Sequence, residues 1–166
     1  MITLDQLLKS RDSRSARQAD WVRENPGSVL VCLTVILPGP VKRDSRSLKV
    51  AHSGVAAIRE ALKPFKEELF DLETGFEGFF LVKGELYGCK RACCAIEDTH
   101  PLGRLMDIDV LEPLERGAAP LSRSRIGLPQ RRCLICEFPA RECMRSRTHS
   151  PEELQRRIDE IICAAG

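Results

Sequence analysis

Asp107 and Asp109 stand two residues apart in Leu105-Met106-Asp107-Ile108-Asp109-Val110-Leu111. Alternation puts Met106, Ile108 and Val110 on one side and both carboxylates on the other, the pattern of a strand with one wholly apolar face. Like charges this close repel and raise each other's pKa, so the pair costs stability unless something neutralises it. A divalent cation is the usual neutraliser. Mg²⁺ held by one or two carboxylates and substrate phosphates serves phosphoryl and nucleotidyl transfer. A solvated edge strand reads the same way, so the pair by itself leaves both readings open.

A second constellation lies further on. Cys133-x2-Cys136-x6-Cys143-x5-His149 offers four soft ligands within 17 residues. Three thiolates and an imidazole suit tetrahedral Zn²⁺ in a structural role, although no second Cys-x2-Cys accompanies the first. Reduced structural thiols or a redox pair are the alternatives. Arg145 and Arg147 run into Ser150-Pro151-Glu152-Glu153, a capping box with proline at the first helical position. A helix start preceded by arginines can receive anionic oxygens. His149 therefore has two competing roles, zinc ligand or phosphate contact. From Arg116 to His149 there are eight arginines, two glutamates and no lysine. The planar guanidinium fork matches phosphate oxygens, so the segment reads either as a polyphosphate site or as a solvated basic face.

The elements that must position these groups follow from periodicity. Leu4 to Arg23 reads as a helix: at about 100° per residue Leu4, Leu7, Leu8 and Val22 share an arc. Arg11, Arg14 and Gln18 fall inside that arc, and polar groups on a core-facing stripe need partners or a ligand-filled cleft. Ser28 to Leu37 is a buried strand stopped by Pro38-Gly39-Pro40, with Lys42 just beyond. Leu48 to Leu62 reads as a helix weakened by Gly54. Glu67–Leu72 and Gly78–Val82 are strands, and Gly84 to Asp98 is a helix with Leu86, Cys89, Cys93 and Ile96 at core spacing. The Asp-x-Asp strand then turns into a short return strand at Leu121–Arg123. Gly127 to His149 reads as irregular, and a last helix runs to about Cys163. Strands separated by helices, with a late hairpin, predict an α+β fold on a mixed sheet with flanking helices. The 166 residues suit one domain, a core over 1–126 with a Cys/Arg-rich segment and terminal helix over 127–166.

The totals narrow the setting. A net charge of +2 argues against a chain that is basic overall. The longest apolar run, Val29 to Leu37, is far short of a membrane span. Eight cysteines with no apolar leader point to a reducing cytoplasm, with thiols or metal ligands rather than disulfides.

Six blocks in order carry a family resemblance. They are Leu8-x2-Arg11-Asp12-x-Arg14-x2-Arg17-Gln18, Pro38-Gly39-Pro40-Val41-Lys42, His100 to Val110, Leu121-Ser122-Arg123, Leu128-Pro129-x-Arg131-Arg132-Cys133-Leu134-x-Cys136, and Cys143-x-Arg145 through His149. The chain resembles the apo-citrate lyase phosphoribosyl-dephospho-CoA transferases, also called citrate lyase holo-acyl-carrier-protein synthases. The resemblance implies a nucleotidyltransferase-like fold and nucleotidyltransferase-type chemistry. It implies triphosphoribosyl-dephospho-CoA as donor, a serine of the acyl-carrier (γ) subunit of citrate lyase as acceptor, and pyrophosphate as leaving group. On that reading Asp107 and Asp109 hold Mg²⁺ and act in catalysis with Arg104. Arg11, Arg14, Gln18, Lys42, His100, Gly103, Arg145 and Arg147 bind substrate. No nucleic acid or membrane partner is implied. The competing class is a small zinc-knuckle module binding nucleic acid through its arginines. Against it, the basic residues lack interleaved aromatics, and Asp-x-Asp without metal repels a phosphate backbone.

Overall fold

A computed structural model describes residues 1–166. Helix α1 spans Leu4–Glu24 and opens on a capping box between Thr3 and Gln6. Strand β1 (Val29–Val35) leads to α2 (Ser45–Leu62), which starts earlier than its apolar pattern because Asp44 caps it. Then come the hairpin β2 (Lys66–Leu72) and β3 (Gly75–Val82), helix α3 (Leu86–Thr99), and strands β4 (Met106–Pro113) and β5 (Ala118–Pro120). Helices α4 (Ala140–Ser146) and α5 (Pro151–Ala164) close the chain. No helix is long and apolar enough to cross a membrane.

The α+β class is as expected, but the sheet is antiparallel throughout rather than mixed. Its order is β2-β3-β1-β4-β5 and every neighbouring pair is antiparallel. The alternation of strands and helices does produce crossovers between strands of one direction. Each crossover leaves a gap one strand wide: α2 joins β1 to β2 across β3, and α3 joins β3 to β4 across β1. An oppositely directed strand fills each gap, which gives a split βαβ arrangement.

The two faces of the sheet differ. On one, Val31, Leu33, Phe80, Met106, Ile108 and Val110 pack with α2, α3 and α5 into the main core. Gly54 belongs to that packing, since a Cβ there would lie 2.8 Å from Leu33 Cδ2. Cys89 and Cys93 are buried in the same core, as their spacing predicts. On the other face α1 crosses the sheet. Its apolar contact is concentrated at one end, where Trp21 meets Leu30, Phe79, Leu81 and Leu111. Leu4 and Leu8, expected on the buried arc, are exposed.

Two further expectations shift. The return strand is Ala118–Pro120 rather than Leu121–Arg123, because the chain reverses at Gly117, in the left-handed region, where Leu114 N donates to Gly117 O. Arg123 instead opens a 3-10 turn to Ile126. Within the segment read as irregular, Ala140–Ser146 is helical.

Of all the glycines, Gly103 in the turn before β4 has the least room for a side chain. A Cβ on Gly103 would lie 2.4 Å from Ile96 O and 2.5 Å from Glu97 O, both backbone atoms of the last turn of α3. Gly103→Ala should therefore lose about 3 kcal/mol in urea unfolding, the upper range for overpacking. Gly117→Ala meets no neighbour and should lose only about 1 kcal/mol for its positive φ. Equal losses for the two would contradict this reading.

Candidate active site

The face beneath α1 is built in three rows across β3, β1 and β4. The registers align Leu81, Leu30 and Leu111, then Phe79, Cys32 and Asp109, then Glu77, Thr34 and Asp107. The surface thus passes from wholly apolar to mostly polar along the strands. Helix α1 follows the same gradient. Trp21 covers the first row, its ring 5.4 Å from that of Phe79. Gln18 lies against the Cys32 thiol in the second row. Arg14 and Arg17 reach the third, with Nη1 to Glu77 Oε1 and Oε2 distances of 3.1 and 3.2 Å. Arg17 also lies 4.1 Å over the Phe70 ring.

Arg14 and Gln18 of the polar stripe of α1 therefore lie against the sheet face that carries both aspartates, while Arg11, expected on the same arc, is exposed. Glu77 is only 2% exposed and takes up the charge of two arginines, so it anchors the helix over the polar row. Asp107 and Asp109 are half-buried and make no ion pair or side-chain hydrogen bond. Burial, and then the charge of Asp107, pushes the Asp109 carboxyl up to about 6. Burial pushes the Cys32 thiol far up, so it stays neutral in the floor.

Two cations stand at the same end of the sheet. Lys42 donates to Leu37 O at 2.6 Å, and its pKa is lowered by burial and then by the charge of Arg11. Neither lysine nor arginine has a carboxylate partner. The β2–β3 turn meets α1 here, Ser10 Oγ lying 2.7 Å from Thr74 Oγ1, and Ile2 N donates to Pro40 O. Two unpaired carboxylates lie on the sheet face along α1, and two unpaired, mutually repelling cations stand near its first half. That arrangement suits an anionic ligand carried with a divalent cation. The donor set on the aspartates, oxygen only, fits a hard cation such as Mg²⁺.

The remaining expected residues fall elsewhere. His100 follows α3 and its Nδ1 accepts from Leu102 N at 3.0 Å, while Gly103 is buried under α3. Arg104 donates to the carbonyls of Arg132 and Cys133 at 3.1 and 2.7 Å. The polar groups of these three lie at the turn into β4, where Arg104 joins it to the C-terminal segment. Arg145 and Arg147 are exposed and make no ion pair. Half of the segment's eight arginines pair internally: Arg123 and Arg131 with Glu97, Arg125 with Glu112 and Arg132 with Glu137.

Cys133, Cys136, Cys143 and His149 do converge. Their ligand atoms all lie within 4.8 Å of one another, so the cluster could hold a metal ion such as zinc. Burial raises the Cys133 thiol, but the Ile135 and Cys136 amides together with the Cys143 and Cys136 thiols outweigh it and the net direction is down. Burial, and then its sulfur partners, pushes Cys143 up to about 11.

Glu77, Arg17, Glu97 and Arg131 lie outside the set of site residues that the sequence suggests. Glu77 was legible in part: alternation with Phe79 and Leu81 puts an acid on an otherwise apolar face. Glu97 sits among the buried positions of α3, also 3% exposed, and an acid at such a position signals a hidden partner.

A family model described as "Apo-citrate lyase phosphoribosyl-dephospho-CoA transferase" matches residues 2–165. Relatives bearing that name in Citrobacter koseri, Escherichia coli O1:K1 and Shigella boydii serotype 18 are each 36% identical to this chain, covering 97% of it and 88% of the relative. With the match running nearly end to end, over α1, the aspartate strand and the cysteine segment alike, the chain belongs to the apo-citrate lyase phosphoribosyl-dephospho-CoA transferase family.

Proposed function

We propose that the protein transfers phosphoribosyl-dephospho-CoA from triphosphoribosyl-dephospho-CoA to a serine of the citrate lyase acyl-carrier (γ) subunit in the cytoplasm, releasing pyrophosphate. The observation that carries the reading is the pair Asp107 and Asp109, partnerless on the sheet face under α1, with Arg11 and Lys42 unpaired at the same end. Displacement at phosphorus needs the attacking oxygen and the departing pyrophosphate held in line, and both build negative charge. Asp107 and Asp109 would hold Mg²⁺, which when bound supplies Lewis-acid stabilisation of those oxygens. Arg11 and Lys42 would take the pyrophosphate, whose charge would relieve their repulsion. Arg14 and Gln18 line the donor's path along α1, with Arg14 fixed by Glu77. Arg145 and Arg147 would meet the donor's phosphates outside the cleft. Zn²⁺ at Cys133, Cys136, Cys143 and His149 would be structural.

Asp107→Asn and Asp109→Asn should each fold and lose transfer by about a thousandfold or more, since each removes a metal ligand worth several kcal/mol in the transition state. Met106→Leu, which repacks only the opposite, fully buried face, should stay within a few-fold of wild type. Mass spectrometry of the carrier subunit after incubation with donor reads all three. Wild-type rates in both asparagine variants would end the metal–carboxylate reading.

Asp109 also predicts a pH dependence. Its folded pKa is raised, so the folded chain holds that proton more tightly than the unfolded one. The metal-free protein should therefore lose stability as pH rises from 3.8 through about 6. Mn²⁺ binding, which displaces the proton, should strengthen over the same window. In Asp107→Asn the midpoint should move to lower pH, because the repelling charge is gone while burial remains. Titration of Mn²⁺ affinity by electron paramagnetic resonance checks the direction.

Changing Arg145 and Arg147 together to alanine should raise the KM for donor more than that for carrier. The reverse order would place α4 at the interface with the carrier subunit.

A further inference from the structure

Strand β4 is short of a neighbour where it matters. β5 pairs only with Leu111, Glu112 and Pro113, so the half that bears both aspartates has an open outer edge. Two side chains stand in for the missing strand. Glu97 Oε1 accepts from Ile108 N at 2.8 Å, as a carbonyl would. Arg131 Nη1 donates to Met106 O at 2.7 Å, as an amide would. The two substitutes face each other at 3.5 Å, and Arg123 holds the second oxygen of Glu97 at 2.6 Å. Met106 and Ile108 flank Asp107 in the chain, so these bonds fix the backbone on both sides of that carboxylate.

Glu97 sits on a well-packed helix, whereas Arg131 sits on a segment with almost no core. Between Leu121 and Ile158 the only buried residues are Cys133 and Cys143, and Phe138 and Met144 point outward, 64% and 77% exposed. Apolar burial therefore contributes little to holding this stretch. What order it has centres on the cysteine cluster. A short hairpin runs from Arg131 to Ala140, with Ala140 N donating to Arg131 O at 2.9 Å and Cys133 N to Phe138 O at 2.8 Å. Its tip presents Cys133 and Cys136. Sγ of Cys136 lies 3.4 Å from that of Cys143 and 3.3 Å from Nε2 of His149, and Ile135 N donates to Cys133 Sγ. Around tetrahedral zinc, sulfurs at the usual bond length stand about 3.8 Å apart, so small shifts complete the site.

We propose that Cys133, Cys136, Cys143 and His149 bind one Zn²⁺ whose role is to hold Arg131 as a clamp on the open edge of β4. Arg131 is thereby a positioning residue for Asp107 and Asp109. The proposal rests on the reading of those aspartates as the site of transfer and on zinc at the cluster. Its core is the coupling between the two. Arg104, bonded to the hairpin's Arg132 and Cys133 carbonyls, is the return connection from the turn before β4.

The test uses the full chain, purified without a histidine tag under reducing conditions, with four readouts. They are zinc by elemental mass spectrometry, Mn²⁺ affinity, and kcat and KM for transfer. Wild type should carry one zinc per chain. Arg131→Ala should keep its zinc, bind Mn²⁺ about tenfold more weakly and lose about a hundredfold in kcat, the scale of an ångström-sized misplacement, with the donor KM nearly unchanged. Arg131→Lys, which can still donate to Met106 O, should recover part of both losses. Its split between kcat and KM decides the matter if the alanine variant does not fold. Cys143→Ser should lose zinc and show the same Mn²⁺ and kcat losses, while Cys163→Ser, altering an exposed thiol, should match wild type. Zinc-free wild type with full activity, or a Cys136–Cys143 disulfide in its place, would overturn the zinc site. Zinc-loaded Arg131→Ala with wild-type Mn²⁺ affinity and kcat, or Arg131→Lys whose loss falls on the donor KM rather than on kcat, would overturn the clamp and leave the zinc. Wild type that binds both metals and transfers nothing would overturn the transferase reading alone.

Discussion

Two carboxylates on one side of one strand repel each other, and this fold holds them together under a helix. Asp107 and Asp109 are adjacent face positions on β4, so no backbone adjustment can separate them without unmaking the strand. Their other faces are fixed as firmly, since Met106, Ile108 and Val110 are buried in the main core. Burial of those three apolar side chains, roughly 2 kcal/mol each, outweighs the repulsion it enforces. The stability of one face of the sheet is thus what keeps the other face in a conformation it would not choose alone.

The same division runs through the whole molecule. Helices α2, α3 and α5 seal one face with apolar side chains, and that face contributes most of the stability. Helix α1 covers the other face through arginines and a glutamine, with only Trp21 fully buried. A helix attached in this way leaves a layer that polar ligands can enter. Glu77 prevents the layer from collapsing or splaying: a carboxylate buried with two guanidinium groups sets the height of α1 over the sheet. A cation–π contact from Arg17 to Phe70 fixes the lateral position. Charge and ring together do at this end what Trp21 does at the other.

Much of this was legible in the residues. Strand alternation placed the aspartates opposite an apolar face, and helical periodicity put Arg14 and Gln18 on the inward arc of α1. The ordered blocks of the chain carried the family. The unread parts depend on residues distant in sequence. No local pattern shows that β3 will slide between β1 and β2, so a mixed sheet was the natural expectation where an antiparallel one formed. Leu4 and Leu8 fit an apolar arc perfectly well, yet the sheet ends before it reaches them. Leu121 is the apolar residue that suggests a return strand, yet the chain already reverses at Gly117 and the strand is the less apolar Ala118–Pro120. The pairings Glu97 with Arg131 and Glu77 with Arg14 join positions 34 and 63 residues apart, and only a folded sheet edge or face makes either necessary.

The C-terminal segment shows how composition dictates a means of folding. From Gly127 to His149 the chain is rich in arginine, poor in buried apolar residues and long for an unstructured connection. Such a stretch cannot offset the entropy of ordering by apolar burial. Side-chain bonds to carbonyls of the core, from Arg131 and in return from Arg104, give it attachment but no centre. Three thiols and an imidazole brought within one coordination sphere can supply that centre, because metal binding free energy becomes folding free energy where no core exists. The arginines that looked like a basic surface are then divided by position. Arg123, Arg125, Arg131 and Arg132 are consumed in pairing, whereas Arg145 and Arg147, between Cys143 and His149, make no ion pair.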